Sequence, residues 1–226
     1  MFYAKKINQS GELIGQYQWP TSKIVCVGRN YAAHAKELNS PIPKEPLLFI
    51  KSTNTLVDFV AQISIPNNQG ECHHELEIAI LIGQQLKNSS HSDSLAAIEG
   101  VGLALDLTLR ELQSALKLKG QPWEKAKSFD GACPVSGFIP FDQSINLSDL
   151  EFSLIKNDEY AQQGNCKDML FDIVGLIQQI STHFSLYPGD IILTGTPEGV
   201  ASLKSGDKIN LEFQQQQIAN ATVRYD

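Results

Sequence analysis

Positive charge is in short supply. Lysine and arginine together number 18 against 25 aspartate and glutamate residues, a formal charge of −7. A protein that grips a nucleic-acid backbone needs a cationic face to displace counterions, and one held on anionic lipid needs a basic cluster. The composition argues against nucleic acid and membrane as partners of the surface as a whole. Cysteine is scarce too. Cys26, Cys72, Cys133 and Cys166 form no CxxC pair, which argues against a disulfide framework and for free, mostly buried thiols in a reducing compartment. No apolar run approaches the ~18 residues that a membrane span needs. The first eleven residues carry no apolar segment of the secretory-leader type. The expected setting is therefore cytoplasmic. Three common signatures are also missing: the Gly-Lys-Ser/Thr ending of a phosphate loop, the dinucleotide-binding glycine pattern and the Gly-x-Ser-x-Gly nucleophile elbow.

What is present is an ordinary folded composition, 42% hydrophobic and 19% charged over 226 residues, long enough to bury a core without staples. One domain over residues 1–226 is expected, with 1–20 as a small N-terminal hairpin turning at Ser10-Gly11. Strand patterns occupy 23–27, 47–50, 75–82, 101–107, 190–193, 208–213 and 218–225, the last two joined by a glutamine-rich tip. Helices are predicted over 31–38, capped by Asn30, and over 173–184. A third follows residue 107, with Thr108 and Glu111 at capping-box spacing and Gly120 and Pro122 as its stop. Strands dominate and the helices are short and scattered, so the fold class is α+β and β-rich rather than regularly wound.

The strongest local feature is His73-His74-Glu75-Leu76-Glu77. On a strand, residues two apart point the same way, so Glu75 and Glu77 project side by side while Leu76 faces the core. A hard divalent cation would relieve their repulsion; a solvent-facing acidic strand end is the equal alternative. Asp106 interrupts the apolar stretch 101–107, where an ionised acid is costly unless paired, hydrogen-bonded or metal-bound. Because Thr108 already offers a helix cap, Asp106 reads as a third oxygen ligand. A zinc site at Cys72-His73-His74 has poor spacing, with no second Cys/His cluster behind it. His34 and Glu37 lie three apart on one helix face. That spacing alone is commonly a surface pair, but a carboxylate beside an imidazole also makes a general base. Gln113, Lys127 and the small-residue turn Thr194-Gly195-Thr196-Pro197-Glu198-Gly199 complete the polar candidates.

Five ordered stretches carry a resemblance. They are Gly28-Arg29-Asn30-Tyr31-Ala32-Ala33-His34, the pentapeptide at 73–77, Leu105-Asp106-Leu107-Thr108, residues 122–130 and Leu193-Thr194-Gly195-Thr196-Pro197-Glu198-Gly199. In this order they resemble the fumarylacetoacetate hydrolase family, above all its small acylpyruvase branch. The resemblance implies a mixed β-sandwich roll of that family's C-terminal-domain type and a homodimer. It implies Mg²⁺, with Mn²⁺ as the alternative, at Glu75, Glu77 and Asp106. It implies His34 and Glu37 as a water-activating dyad, Lys127 and Gln113 near the reacting carbonyl, and Thr196 and Arg29 on the substrate's anionic groups. The chain departs from the family pattern at Ser52, in Ala161-Gln162-Gln163-Gly164 and at Ala201, differences that bear on substrate preference.

The activity expected first is carbon–carbon bond hydrolysis of acylpyruvates, short 2-oxo acids with a second carbonyl, through an enolate. The same machinery supports two alternatives, oxaloacetate keto–enol tautomerisation and oxaloacetate decarboxylation. A third, of another class, is a non-catalytic metal-dependent module that binds oxo acids.

Overall fold

The structure is a computed structural model that describes residues 1–37 and 41–226. Its centre is a mixed eight-stranded sheet. Its strands run, in spatial order, Leu47–Lys51, Ile24–Gly28, Ile191–Leu193, Leu76–Ile82, Ile98–Leu105, Cys133–Val135 and Leu56–Asp58, with Ile139–Pro140 also pairing to Ile98–Leu105. Two neighbour pairs are parallel, Ile191–Leu193 with Ile24–Gly28 and Cys133–Val135 with Leu56–Asp58. A five-stranded sheet packs against it, ordered Glu159–Asn165, Glu151–Lys156, Lys208–Phe213, Gln216–Tyr225 and Gln62–Ile65. A three-stranded ribbon joins Thr108–Leu109, Cys72–His74 and Ala201–Ser202. This is the β-rich α+β architecture the pattern predicts, with the large mixed sheet curled into a half-barrel.

Period-two alternation decides what each face of the large sheet does. Ile78, Ile80 and Ile82 belong to the main core, together with Phe152, Leu154, Ile209 and Leu211 of the five-stranded sheet and Leu176 and Ile177 of the helix Ile173–His183. Ala79 and Leu81 face the other way, into a smaller core with Ile24, Cys26, Leu193, Ala104 and Phe138. The N-terminal hairpin, Tyr3–Ile7 with Leu13–Pro20, contributes Ala4 and Tyr17 to that second core. Glu75 and Glu77 share the parity of Ala79 and Leu81, so they emerge at the end of the sheet on the side of the smaller core.

Several local expectations are corrected. The predicted strand 75–82 is two strands, Cys72–His74 and Leu76–Ile82, with Glu75 at their join. The first helix is Ala32–Glu37; residue 38 lies outside the described residues. Asn30 does not serve as its cap. Its amide nitrogen donates to the carbonyls of Phe171 and Thr194, and its Oδ1 accepts from Phe171 N. Thr108 is no cap either. Leu109 occupies the N-cap position of Arg110–Leu118 without a side-chain bond. Thr108 lies on a short strand and its hydroxyl donates to Asp106 O. Pairing in the three-stranded ribbon outweighs capping there, because it satisfies backbone groups of buried residues.

Candidate metal and oxo-acid site

Sheet register builds the acidic group. Glu77 faces Ala104 and Leu76 faces Leu105 across the ladder. One step further Asp106 N donates to Glu75 O at 2.8 Å, so Asp106 sits opposite Glu75 with Glu77 beside it on the same face. One carboxylate oxygen from each of the three lies within 4.8 Å of the others, and all three residues are buried. Small Ala104 opposite Glu77 leaves room for the group.

Three cations hold it. Lys127 Nζ donates to Glu75 Oε2 at 2.7 Å and to Asp106 Oδ2 at 2.6 Å. Lys51, with no exposed surface, donates to Asp106 Oδ1 at 2.6 Å and to the carbonyls of Lys127 and Leu107. Arg110 bonds Glu75 Oε1 through Nη2 and Gln113 Oε1 through Nη1. Burial alone would raise the Glu75 carboxyl, but Lys127 and Arg110 outweigh it and hold it well below the usual range. Burial would lower Lys127, and Asp106 with Glu75 reverse that and raise it. Glu77 has the opposite fate. Burial and the neighbouring charges of Asp106 and Glu75 push it well above the ordinary value. Its carboxylate accepts one bond, from Gly195 N at 2.7 Å. Gly195 has φ +99°, and a side chain there would meet Asn30 Cβ at 2.7 Å, so only glycine brings that N–H to Glu77.

This donor set fits a hard divalent cation. The donor atoms are oxygens, they converge, and Glu77, held by a single backbone donor, is the acid whose ionised form a cation would favour most. The zinc alternative at Cys72-His73-His74 finds no support. Among the described residues the acidic trio alone meets the spacing an ion requires. His73 Nε2 faces Glu71 Oε2 at 3.3 Å, and His74 Nδ1 faces Gln162 Oε1 at 2.8 Å. Burial pushes the His74 imidazole down to about 4.

A narrow cleft opens over the trio. Arg29, His34, Glu75, Glu77, Asp106, Gln113, Lys127 and Thr196 line it, so these eight sequence-derived candidates meet in one place. Glu37 stands behind: His34 Nδ1 and Glu37 Oε2 are 3.0 Å apart, and Glu37 Oε1 accepts from Gly199 N at 3.2 Å. His34 is buried whereas Glu37 reaches solvent. The pair is thus a cleft-facing imidazole backed by a carboxylate, not a surface ion pair. Lys127 lies against the carboxylates and also on the wall of the cleft.

Sequence reasoning missed Lys51, Arg110, Lys117 and Gln162. A lysine closing the apolar run Leu47-Leu48-Phe49-Ile50-Lys51 was a usable signal for a buried counter-ion of Asp106. Lys117 also lines the cleft, its Nζ 4.9 Å from the Trp123 ring centroid. Gln162 was marked only as part of the departure at 161–164, with no partner assigned; it arrives from the five-stranded sheet.

Comparison with known proteins agrees with this geometry. The family described as "Fumarylacetoacetate (FAA) hydrolase C-terminal" matches residues 23–224. Oxaloacetate tautomerase YcgM of Escherichia coli strain K12 is 47% identical over 207 residues, 91% of this chain and 93% of that one. A mitochondrial oxaloacetate decarboxylase of Dictyostelium discoideum is 44% identical over 84% of this chain and 88% of its own. Among solved structures, fumarylpyruvate hydrolase from Pseudomonas aeruginosa in complex with Mn²⁺ and pyruvate superposes with a TM-score of 0.89 at 27% identity, covering 99% of this chain and 97% of that one. With the matched region spanning nearly all of its strands and the whole acidic trio, the chain belongs to the fumarylacetoacetate hydrolase family.

Proposed function

We propose that this protein is a divalent-metal-dependent oxaloacetate tautomerase that interconverts the enol and keto forms. The single observation that carries the reading is the 47% identity to an oxaloacetate tautomerase over nine-tenths of both chains. Acylpyruvate hydrolysis, the activity expected first from sequence, has the weaker support of a fumarylpyruvate hydrolase at 27% identity. Decarboxylation of the same substrate is the second reading, favoured by the Dictyostelium relative at 44%.

Tautomerisation moves one proton between C3 and the C2 oxygen. Glu37 accepts from His34 Nδ1, which leaves the His34 Nε2 lone pair to take the proton from C3 as the enol forms and to give one to C3 as the keto form returns, while the C2 oxygen gains or loses its own proton by exchange with solvent. Lys127 has spent two of its three N–H bonds on Glu75 and Asp106, so the third is free for the substrate. Arg29 and Thr196 hold the carboxylates and keep C3 in reach of the imidazole. Glu75, Glu77 and Asp106 would hold Mg²⁺ or Mn²⁺, which supplies Lewis-acid stabilisation of negative charge on the oxo oxygen. Such acid–base assistance contributes roughly 10²–10⁴-fold. No attacking water is needed, so His34 acts on carbon rather than on water. The working unit is proposed to be a homodimer, checked by light scattering.

The test is a substrate panel with Mg²⁺, with and without EDTA: freshly dissolved enol-oxaloacetate, keto-oxaloacetate, acetylpyruvate and fumarylpyruvate. Ketonisation accelerated above the spontaneous rate and abolished by EDTA is the expected result. Faster cleavage of an acylpyruvate, faster release of CO₂, or indifference to EDTA would overturn the proposal.

A further inference from the structure

Gln162 lies on the strand Glu159–Asn165, is 1% exposed and does not line the cleft. Its amide can be oriented from its partners alone. Oε1 is 3.0 Å from Leu76 N, which can only donate, and Nε2 is 3.1 Å from Pro197 O, which can only accept. Turning the amide over would set like groups against each other at both ends. Two assignments follow. Oε1 also receives His74 Nδ1 at 2.8 Å, so His74 carries its proton on Nδ1 and leaves Nε2 bare, in keeping with the lack of any partner for that buried atom. The second amide hydrogen goes to Thr196 Oγ1 at 2.8 Å.

The Thr196 hydroxyl is therefore an acceptor on its inner side. Among the described residues no group accepts its own hydrogen, and Thr196 is only 3% exposed on the wall of the cleft. A buried hydroxyl hydrogen without a protein acceptor is costly. The partner open to it is an oxygen of whatever occupies the cleft.

We propose that Gln162 is a positioning residue: by donating to Thr196 Oγ1 it fixes that hydroxyl as a hydrogen-bond donor towards an anionic oxygen of the substrate. His74 and Leu76 N hold the amide from behind, so a relay runs from the strand beside the metal ligands, through the five-stranded sheet, to the substrate. The ligand class, an oxo acid with a carboxylate, rests on the proposed function; the polarity of the relay does not. Glutamate at position 162 would reverse that polarity. Its carboxylate would accept from Thr196, which would then turn lone pairs towards an anionic ligand.

The test is a double-mutant cycle read on two quantities: KM and kcat for enol-oxaloacetate, and the affinity for oxalate in the presence of Mg²⁺ by calorimetry. Gln162→Glu and Gln162→Met should each weaken oxalate and raise KM by about tenfold to a hundredfold, the worth of a hydrogen bond to a charged group, with kcat changed far less. Thr196→Val should show a loss of the same order, and Thr196→Ser should restore affinity. In the Thr196→Val background either change at Gln162 should add less than about twofold. Equal losses in both backgrounds would make Gln162 merely structural and overturn the relay. So would full oxalate affinity in Thr196→Val, a measurement that stands even if both Gln162 variants fail to fold. A wild-type protein that binds oxalate but does not tautomerise oxaloacetate would sink the proposed function alone.

Discussion

Two groups of buried acids answer the same problem differently. Asp190 is fully buried, and its carboxylate is saturated. Oδ1 accepts from Ser22 N at 3.3 Å, Ser22 Oγ at 2.6 Å and Lys23 N at 3.1 Å, while Oδ2 accepts from Tyr187 N at 2.8 Å and from Lys23 Nζ. Every lone pair has a donor, and the group ties the start of Ile24–Gly28 to the start of Ile191–Leu193. The trio of Glu75, Glu77 and Asp106 is equally buried but unevenly served. Glu75 and Asp106 share two lysines and an arginine, while Glu77 has one backbone donor. Asp190 is completed by the protein; in the trio Glu77 is left with one donor, the place where the proposed cation would contribute most.

The comparison can be broken by substitution. The largest effect is expected from Asp106→Ala. It removes a carboxylate of the proposed metal site and leaves Lys51 and Lys127 without a shared partner, so the proposed tautomerase activity should fall on the order of 10³-fold. EDTA should then have nothing further to remove in the same assay. Asp190→Ala should act on stability instead. A loss of roughly 2–4 kcal/mol by urea titration is expected, because five donors lose their acceptor. The kcat of the folded fraction should be retained, and an equal fall in both quantities would erase the distinction drawn here.

Glu77→Gln sharpens the contrast. Without metal the variant should melt within about 1 kcal/mol of wild type, because the raised Glu77 carboxyl is already neutral there and the amide replaces it at nearly the same size. With Mg²⁺ and oxalate together the wild type should gain about 2.7 kcal/mol at a hundred times the dissociation constant, and the variant almost nothing. A ligand-induced shift of wild-type size in Glu77→Gln would remove Glu77 from the metal site. The smallest effect concerns Lys117. Burial, reinforced by Lys127, Arg110 and Arg29, pushes its ammonium down to about 8. The charge is present below that pH and lost above it. KM for dianionic oxaloacetate should therefore climb about two- to fivefold as pH rises through 8, and a Lys117→Met variant should lack the climb.

Local rules carried much of the site. The i, i+2 rule put Glu75 and Glu77 on one side, and the i, i+3 rule put His34 against Glu37. The cost of an acid among apolar residues singled out Asp106, although the supporting argument from Thr108 failed. Thr108 is drawn into the ribbon with Cys72–His74, and Asp106 is held by Lys51 and Lys127 instead. The apolar alternation of the strands likewise made the β-rich class legible. The break at Glu75 was not, since it depends on which partner strands are present on each side. Lys51, Arg110 and Gln162 stayed hidden because nothing within a few residues of each marks its partner.

The shortage of positive charge in the sequence as a whole says little about the cleft. Sequence alone marked most of the candidate residues that meet in the cleft and which of their near neighbours they must face, because the periods of helix and strand act over two to four residues. Tertiary structure alone decided that Asp106 lies opposite Glu75, that Lys51 reaches it from 55 residues away, and that Gln162 meets Leu76 across 86. Those contacts are set by ladder register and sheet packing. Both depend on how distant segments bury their apolar faces together, and no local period encodes that.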